Sequence, residues 1–195
     1  MMNYKNILNH DWLIYIMQTH IGRGVGKYIE EELFNSKEYV KICSPNISYS
    51  LCKKLFELLN NGVRVQVITS DIITGDKNSK QANSLAKEIT QKLQKENNSK
   101  KPNLEYKIIS TYDIPLIHAK IFVIDGKCAI MGSANFSENS FQNFAEYILV
   151  AKDDDLMVKK IEKDFDILWR EVELLPNQLT KKPIKGFMRD FRKKL

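Results

Sequence analysis

The stretch from Leu116 to Asn135 constrains the fold of this chain more than any other. Ile117, Ala119, Ile121 and Val123 alternate with polar positions, so a strand over Leu116–Ile124 sends these four side chains into a core while His118 and Lys120 leave together from the opposite face. Asp125-Gly126 then signals a tight turn, and the chain returns through a short strand at Ala129–Met131 to Gly132-Ser133. Small residues there let the backbone close on the point where His118 and Lys120 emerge. A hairpin with one greasy face and one chemical face needs a sheet around it and helices against it.

The rest of the chain supplies both. Glu38–Cys43 reads as a strand ending at Ser44-Pro45, and Leu51, Leu55, Leu58 and Leu59 form a helical stripe that stops at Asn60-Asn61-Gly62. Val63, Val65 and Val67 alternate as a strand, Ala82, Leu85, Ala86, Ile89 and Leu93 line a helical face, and residues 95–103 read as a polar surface loop. Strands follow at Leu104–Ile109 and Phe144–Val150. A long amphipathic helix over Asp153–Val172 is expected to bury Leu156, Ile161, Phe165, Leu168 and Val172. No internal repeat is visible. The pattern predicts an α/β fold, a mixed β-sheet sandwiched between helices in one domain. Residues 25–176 are expected to form the catalytic domain, with Pro176 and Pro183 closing the folded body. Residues 1–24 form an arm whose structure the sequence leaves open as helix, strand or dimer arm, and residues 177–195 form a tail.

Composition narrows the class. Hydrophobic residues at 43% and charged residues at 28% are ordinary globular proportions and exclude global disorder. The longest apolar run, Trp12–Met17, is far short of the roughly 20 residues of a spanning helix, and the polar start lacks the features of a signal peptide. A cytoplasmic location is therefore expected. Cys43, Cys52 and Cys128 are odd in number and widely spaced, which reads as reduced core thiols rather than a disulfide framework or zinc site. The net charge of +6 sits entirely in the tail, where Lys181, Lys182, Lys185, Arg189, Arg192, Lys193 and Lys194 face one acid, Asp190.

Written as a pattern, the central segment is His118-x-Lys120-x4-Asp125-x6-Gly132-Ser133-x-Asn135. Imidazole, ammonium, hydroxyl and amide converging on one point suit a phosphodiester: Lys120 neutralises non-bridging oxygens, Ser133 and Asn135 donate to them, and His118 attacks phosphorus. Asp125 reads as a structural hydrogen-bond partner. The segment resembles the motif of the phospholipase D superfamily, with one copy per chain as in its small dimeric endonucleases. That resemblance implies a further role for Glu146, eleven residues after Asn135, as a carboxylate bonded to the nucleophilic imidazole. Other motifs carry less. Gly22–Lys27 reads as a turn before a helix, without the spacing or preceding strand of a phosphate loop. Asp153-Asp154-Asp155 suits a helix N-terminus rather than a metal, and His10 and His20 read as structural.

One imidazole cannot both attack phosphorus and protonate the leaving group from the opposite side in one step. A chain with one motif therefore predicts a homodimer, with His118 of one protomer as nucleophile and His118 of the other as general acid across a two-fold axis. No metal or cofactor is called for, because both Lys120 and both Asn135 residues supply charge stabilisation. The leading expectation is a nuclease acting on DNA or RNA. The alternatives are lipid phosphodiester chemistry at a membrane surface and a non-catalytic nucleic-acid-binding module. The tail fits each: Ile184, Phe187, Met188, Phe191 and Leu195 fall at i, i+3, i+4, i+7 and i+11, a basic amphipathic pattern that suits phosphate contacts, an anionic lipid surface or docking on the domain. Deleting residues after Pro176 is expected to weaken polyanion binding and flatten its salt dependence, measured by titration at several ionic strengths, while turnover of a small phosphodiester stays nearly unchanged.

Overall fold

Alternating apolar residues assemble the sheet. In the computed structural model, which describes residues 17–71, 80–85, 87, 88, 91, 103–110, 117–152 and 155–179, seven strands pair in one sheet. They are β1 (Met17–Arg23), β2 (Tyr39–Cys43), β3 (Arg64–Asp71), β4 (Leu104–Ser110), β5 (Ile121–Ile124), β6 (Cys128–Gly132) and β7 (Ala145–Lys152), in the spatial order β1-β7-β6-β5-β2-β3-β4. The pairs β2–β3 and β3–β4 are parallel, and the remaining four are antiparallel. The sheet is mixed and lies between helices, as the sequence pattern predicts.

Each face buries its own file of side chains. Val40, Ile42, Val65, Val67, Phe122, Ile130 and Ile148 pack on one side against Ile29 and Leu33 of α1 (Gly26–Phe34) and Leu51, Leu55 and Leu58 of α2 (Tyr49–Asn60). On the other side, α3 (Asp155–Leu179) lays Phe165, Trp169 and Val172 on Cys43, Ile68 and Ile109, and Val158 and Ile161 on Val123, Ala129 and Ala151. Lys41 fastens this helix from the sheet, with Nζ 2.8 Å from Glu162 and 2.7 Å from Asp166, and the Tyr39 hydroxyl donates to Glu162 at 2.8 Å. Helix α2 ends where Asn60-Asn61-Gly62 signals: Gly62, at φ +81°, donates to the Leu59 carbonyl and Val63 to the Leu58 carbonyl, a Schellman cap. All three cysteines are buried, and burial pushes the Cys43 and Cys52 thiols up to about 12. No helix among the described residues is long and apolar enough to cross a membrane.

Several expectations change. Leu156 is exposed, and Val158 takes its place on the buried side, because 158, 161, 165 and 172 keep one helical face while 156 lies two residues, over half a turn, from it. Helix α3 continues through Pro176 to Leu179. The predicted strand over Leu116–Ile124 is ladder only from Ile121, because β2 ends opposite it at Cys43 and the next amide, Ser44, turns to the Ile68 carbonyl of β3. Ile117 and Ala119 still pack beneath α3, so the alternation survives without the ladder. Residues 17–23, part of the unassigned arm, form edge strand β1 along β7. Gly22–Lys27 is indeed a turn into a helix, although a strand does precede it. The helical residues 80–85 bury Ala82 and half-bury Leu85, whereas Ala86, Ile89, Leu93, most of the polar loop and the tail lie outside the described residues.

Asp125 holds the end of the β5–β6 hairpin. It and Gly126 have φ of 51° and 64°, the signs a type I′ turn requires, and Lys127 N–H closes the turn on the Ile124 carbonyl at 2.9 Å. Its Oδ1 accepts from the Ser36 hydroxyl (2.7 Å) and the Glu38 and Tyr39 amides (2.9 Å each), and Oδ2 accepts from the Lys37 amide at 2.9 Å. Burial pushes the carboxyl up, but these four donors outweigh it and hold it below its ordinary value. Asp125→Asn keeps a residue that tolerates positive φ but loses the charge. It is expected to cost about 1–2 kcal/mol at neutral pH. A carboxyl with a depressed folded pKa stabilises above its unfolded pKa, so the gap to wild type in urea unfolding should be full above about pH 4 and vanish as pH falls through the folded pKa.

Candidate active site

At the end of the sheet away from Asp125, the strand files deliver polar groups instead of apolar ones. His118 and Lys120 continue the file of Phe122 and Ile124 beyond the start of β5, and Glu146 continues that of Ile148 and Val150 at the start of β7. Strand β6 runs between them, and its file reaches this level at Gly132. That residue carries no side chain, and a Cβ there would fall onto the Tyr147 carbonyl oxygen of β7. Only glycine lets β6 lie this close to β7, and across it the charge of Glu146 is felt at Lys120.

His118 is exposed while Lys120 is 6% exposed. Lys120 Nζ donates to the His118 carbonyl at 2.8 Å and lies 3.0 Å from Nδ1 and 3.1 Å from Nε2 of the same residue. Burial holds the Lys120 ammonium below the ordinary lysine value, against the opposing pull of Glu146 and then Cys43. Ser133 completes the link to β7: its Oγ donates to Glu146 Oε2 and accepts from the Tyr147 amide at 3.0 Å, and its own amide donates to the Tyr147 carbonyl at 2.9 Å. Within one chain the Glu146 carboxylate thus bonds Ser133 and not, as the resemblance implied, the imidazole. The reason is register. Gly132 pairs with Ile148, so Ser133 sits beside Tyr147 and within reach of Glu146, while His118 lies two strands away.

Asn135 follows on the loop after β6. Its Oδ1 is buried with no hydrogen-bond partner among the described residues. The loop after β2 is stitched to it: Ser44 Oγ accepts from the Phe136 amide (2.9 Å) and donates to the Asn46 carbonyl (2.7 Å), and the Ser48 amide donates to the Phe136 carbonyl (3.0 Å). Asn46 and Ser48 thereby line a cavity of about 190 Å³ with Asn135. In the sequence Ser44-Pro45 marks only a strand end. Ser-x-Asn-x-Ser just after a buried parallel strand was the signal available, since loops at the carboxyl ends of such strands line ligand sites. Asp125 stands at the other end of β5, and the seven basic tail residues from Lys181 to Lys194 lie outside the described residues. His20 stacks on Tyr28 at 3.7 Å.

An exposed imidazole beside a buried cation, backed by a carboxylate, a hydroxyl and an amide, matches what an anionic tetrahedral or pentavalent centre requires. The family model described as cardiolipin synthase, PLD-like domain, matches residues 29–169. The chain belongs to the phospholipase D superfamily. A curated relative, mitochondrial cardiolipin hydrolase of Xenopus laevis, is 39% identical over 57 residues, which is 29% of this chain and 27% of that protein. Among solved structures, Nuc of Salmonella typhimurium, a phospholipase D family member, superposes with a TM-score of 0.60 at 14% identity, covering 79% of this chain and 95% of Nuc. NucT from Helicobacter pylori does so at 0.55 and 19%, covering 79% and 96%. The archaeal chromatin protein TrmBL2 reaches 0.54 at 11%, covering 84% of this chain and 55% of its own. These likenesses establish the phospholipase D fold.

Glu146 raises the Lys120 pKa, so neutralising it lets that pKa fall further. Glu146→Gln is therefore expected to slow phosphodiester hydrolysis and to move the basic limb of its pH–rate profile toward lower pH. An unmoved limb would separate Glu146 from the lysine.

Proposed function

We propose that this chain is a metal-independent phosphodiesterase that hydrolyses nucleic-acid phosphodiester bonds through a phosphohistidine, in an active site shared by two protomers. The observation that carries the reading is the pairing of an exposed His118 with a buried Lys120 at one sheet end. Incoming phosphate oxygens take over the lysine's hydrogen bonds and release the imidazole. A ring nitrogen then forms the P–N bond as the P–O bond to the leaving group breaks, and that oxygen takes a proton from His118 of the partner subunit. Water attacks phosphorus in the second step, gives its proton to the same partner imidazole, and the P–N bond breaks. Lys120, Asn135 and Ser133 stabilise the charge of the pentavalent states, and Glu146 positions Ser133 and Lys120.

Nucleic acid is favoured by two features. The basic tail offers sequence-independent, salt-sensitive phosphate contacts, and the loops around the motif present amides and hydroxyls. DNA binding by TrmBL2, whose fold this chain shares in part, agrees with that choice. The local identity to a cardiolipin hydrolase supports a second reading, hydrolysis of a phospholipid at a membrane surface. Parallel assays on oligonucleotides and cardiolipin vesicles, all in chelator, separate the two.

A denaturing quench during turnover is expected to trap an acid-labile, base-stable phosphoryl group on His118, on a chain whose solution mass is that of a dimer. Lys120→Ala leaves the nucleophile but removes one charge from the transition state, about 3–4 kcal/mol, so the rate should fall about a hundredfold to a thousandfold. Full activity in His118→Ala, an active monomer, or loss in chelator reversed by a divalent ion would overturn the mechanism.

A further inference from the structure

The cavity of about 190 Å³ beside the motif is built for something other than phosphate. Its wall carries the amides of Asn46, Asn135 and Asn139, the Ser48 hydroxyl, one carboxylate, Glu138, and the ring of Phe144. Among the described residues no lysine or arginine lines it. An anion would meet Glu138, which Ser50 of α2 holds through a hydrogen bond to its carboxylate. Glu138 thus disfavours an anionic occupant, and the second phosphate of a cardiolipin headgroup is a poor match. Its size is below the roughly 300 Å³ at which drug-sized pockets begin, which suits a single ring system. Amides and hydroxyls offer donors and acceptors together, the complement of a heterocycle edge.

The aromatic wall is presented deliberately. Phe144 is 54% exposed, yet it stands at the end of a π-helical turn, Asn139–Asn143, where its amide donates to the Asn139 carbonyl at 2.8 Å. Such turns are rare and concentrate at functional sites. Phe144 precedes Glu146 by two residues, and Asn135 belongs both to the motif and to the cavity wall, so an occupant here neighbours a phosphate at Lys120. From this juxtaposition we propose that the cavity is a nucleobase subsite: the base next to the scissile phosphate leaves its stack, lies against Phe144 and is read loosely by the Asn and Ser side chains. This rests on the nuclease reading and deepens it. A base must unstack to enter, so single strands are favoured over duplex.

The test uses the full chain in chelator with a single-stranded oligonucleotide and the same strand made of abasic tetrahydrofuran units. Wild type is expected to prefer the base-bearing strand about tenfold in kcat/KM, the low end of what one aromatic stack supplies. Phe144→Ala should bring that ratio close to one, and Phe144→Trp should restore it. An unchanged ratio in Phe144→Ala overturns the subsite, as does a fall of that variant to monomer mass, which would assign the ring to the contact between chains. Failure of the wild type to cleave any oligonucleotide, with cardiolipin vesicles hydrolysed instead, would remove the nuclease reading itself.

Discussion

Two opposite charges, Lys120 and Glu146, are held at the rim of an apolar core, and the surrounding structure is arranged to make that tolerable. They are 6% and 9% exposed and continue the same sheet face that carries Phe122 and Ile148. A buried charge is costly unless hydrogen bonds compensate it. Each charge is therefore satisfied. The lysine donates to the His118 carbonyl and lies against its ring, and the carboxylate accepts from Ser133. Gly132 lets β6 and β7 approach closely here, since a Cβ would collide with the Tyr147 carbonyl. A polar site placed here is pre-paid in folding free energy, and a phosphate arriving at it finds the cation already fixed.

The two ends of β5 divide the labour. At one end, Asp125 gathers three backbone amides and a hydroxyl and pins the hairpin to the start of β2. At the other, β2 stops at Cys43 and leaves His118 and Lys120 unpaired with it. A central strand only four residues long separates stability from chemistry. Helix α3 closes the opposite face, held by Lys41 between Glu162 and Asp166, so the site is supported from beneath by side chains it does not share.

Much of this was legible. The strands, the mixed sheet and the stripes of α2 and α3 follow from periods of 2 and about 3.6, because core side chains repeat with the backbone that carries them. Strand β1 was not legible: at the sheet edge it pairs only with β7, its side chains are mostly exposed, and backbone pairing leaves no hydrophobic period. Leu156 misled for a related reason, since an apolar residue at a helix start looks core-facing until neighbours fix the helix's rotation. Phe144 read only as the start of a strand, and the loop after β2 carried no periodic signal.

The sequence by itself determined the family, the layered architecture and the set of chemical groups, since a His, a Lys and an Asn at fixed spacing on a hairpin hold the same relation wherever the hairpin goes. Tertiary structure decided who bonds to whom. That Glu146 answers Ser133 rather than the imidazole depends on the β6–β7 register, and that Asn46 and Ser48 face Asn135 depends on a stitch between loops some ninety residues apart. Local spacing fixes what shares a face of one strand. Pairing between strands fixes what meets across the sheet, and that is a property of the whole packed core.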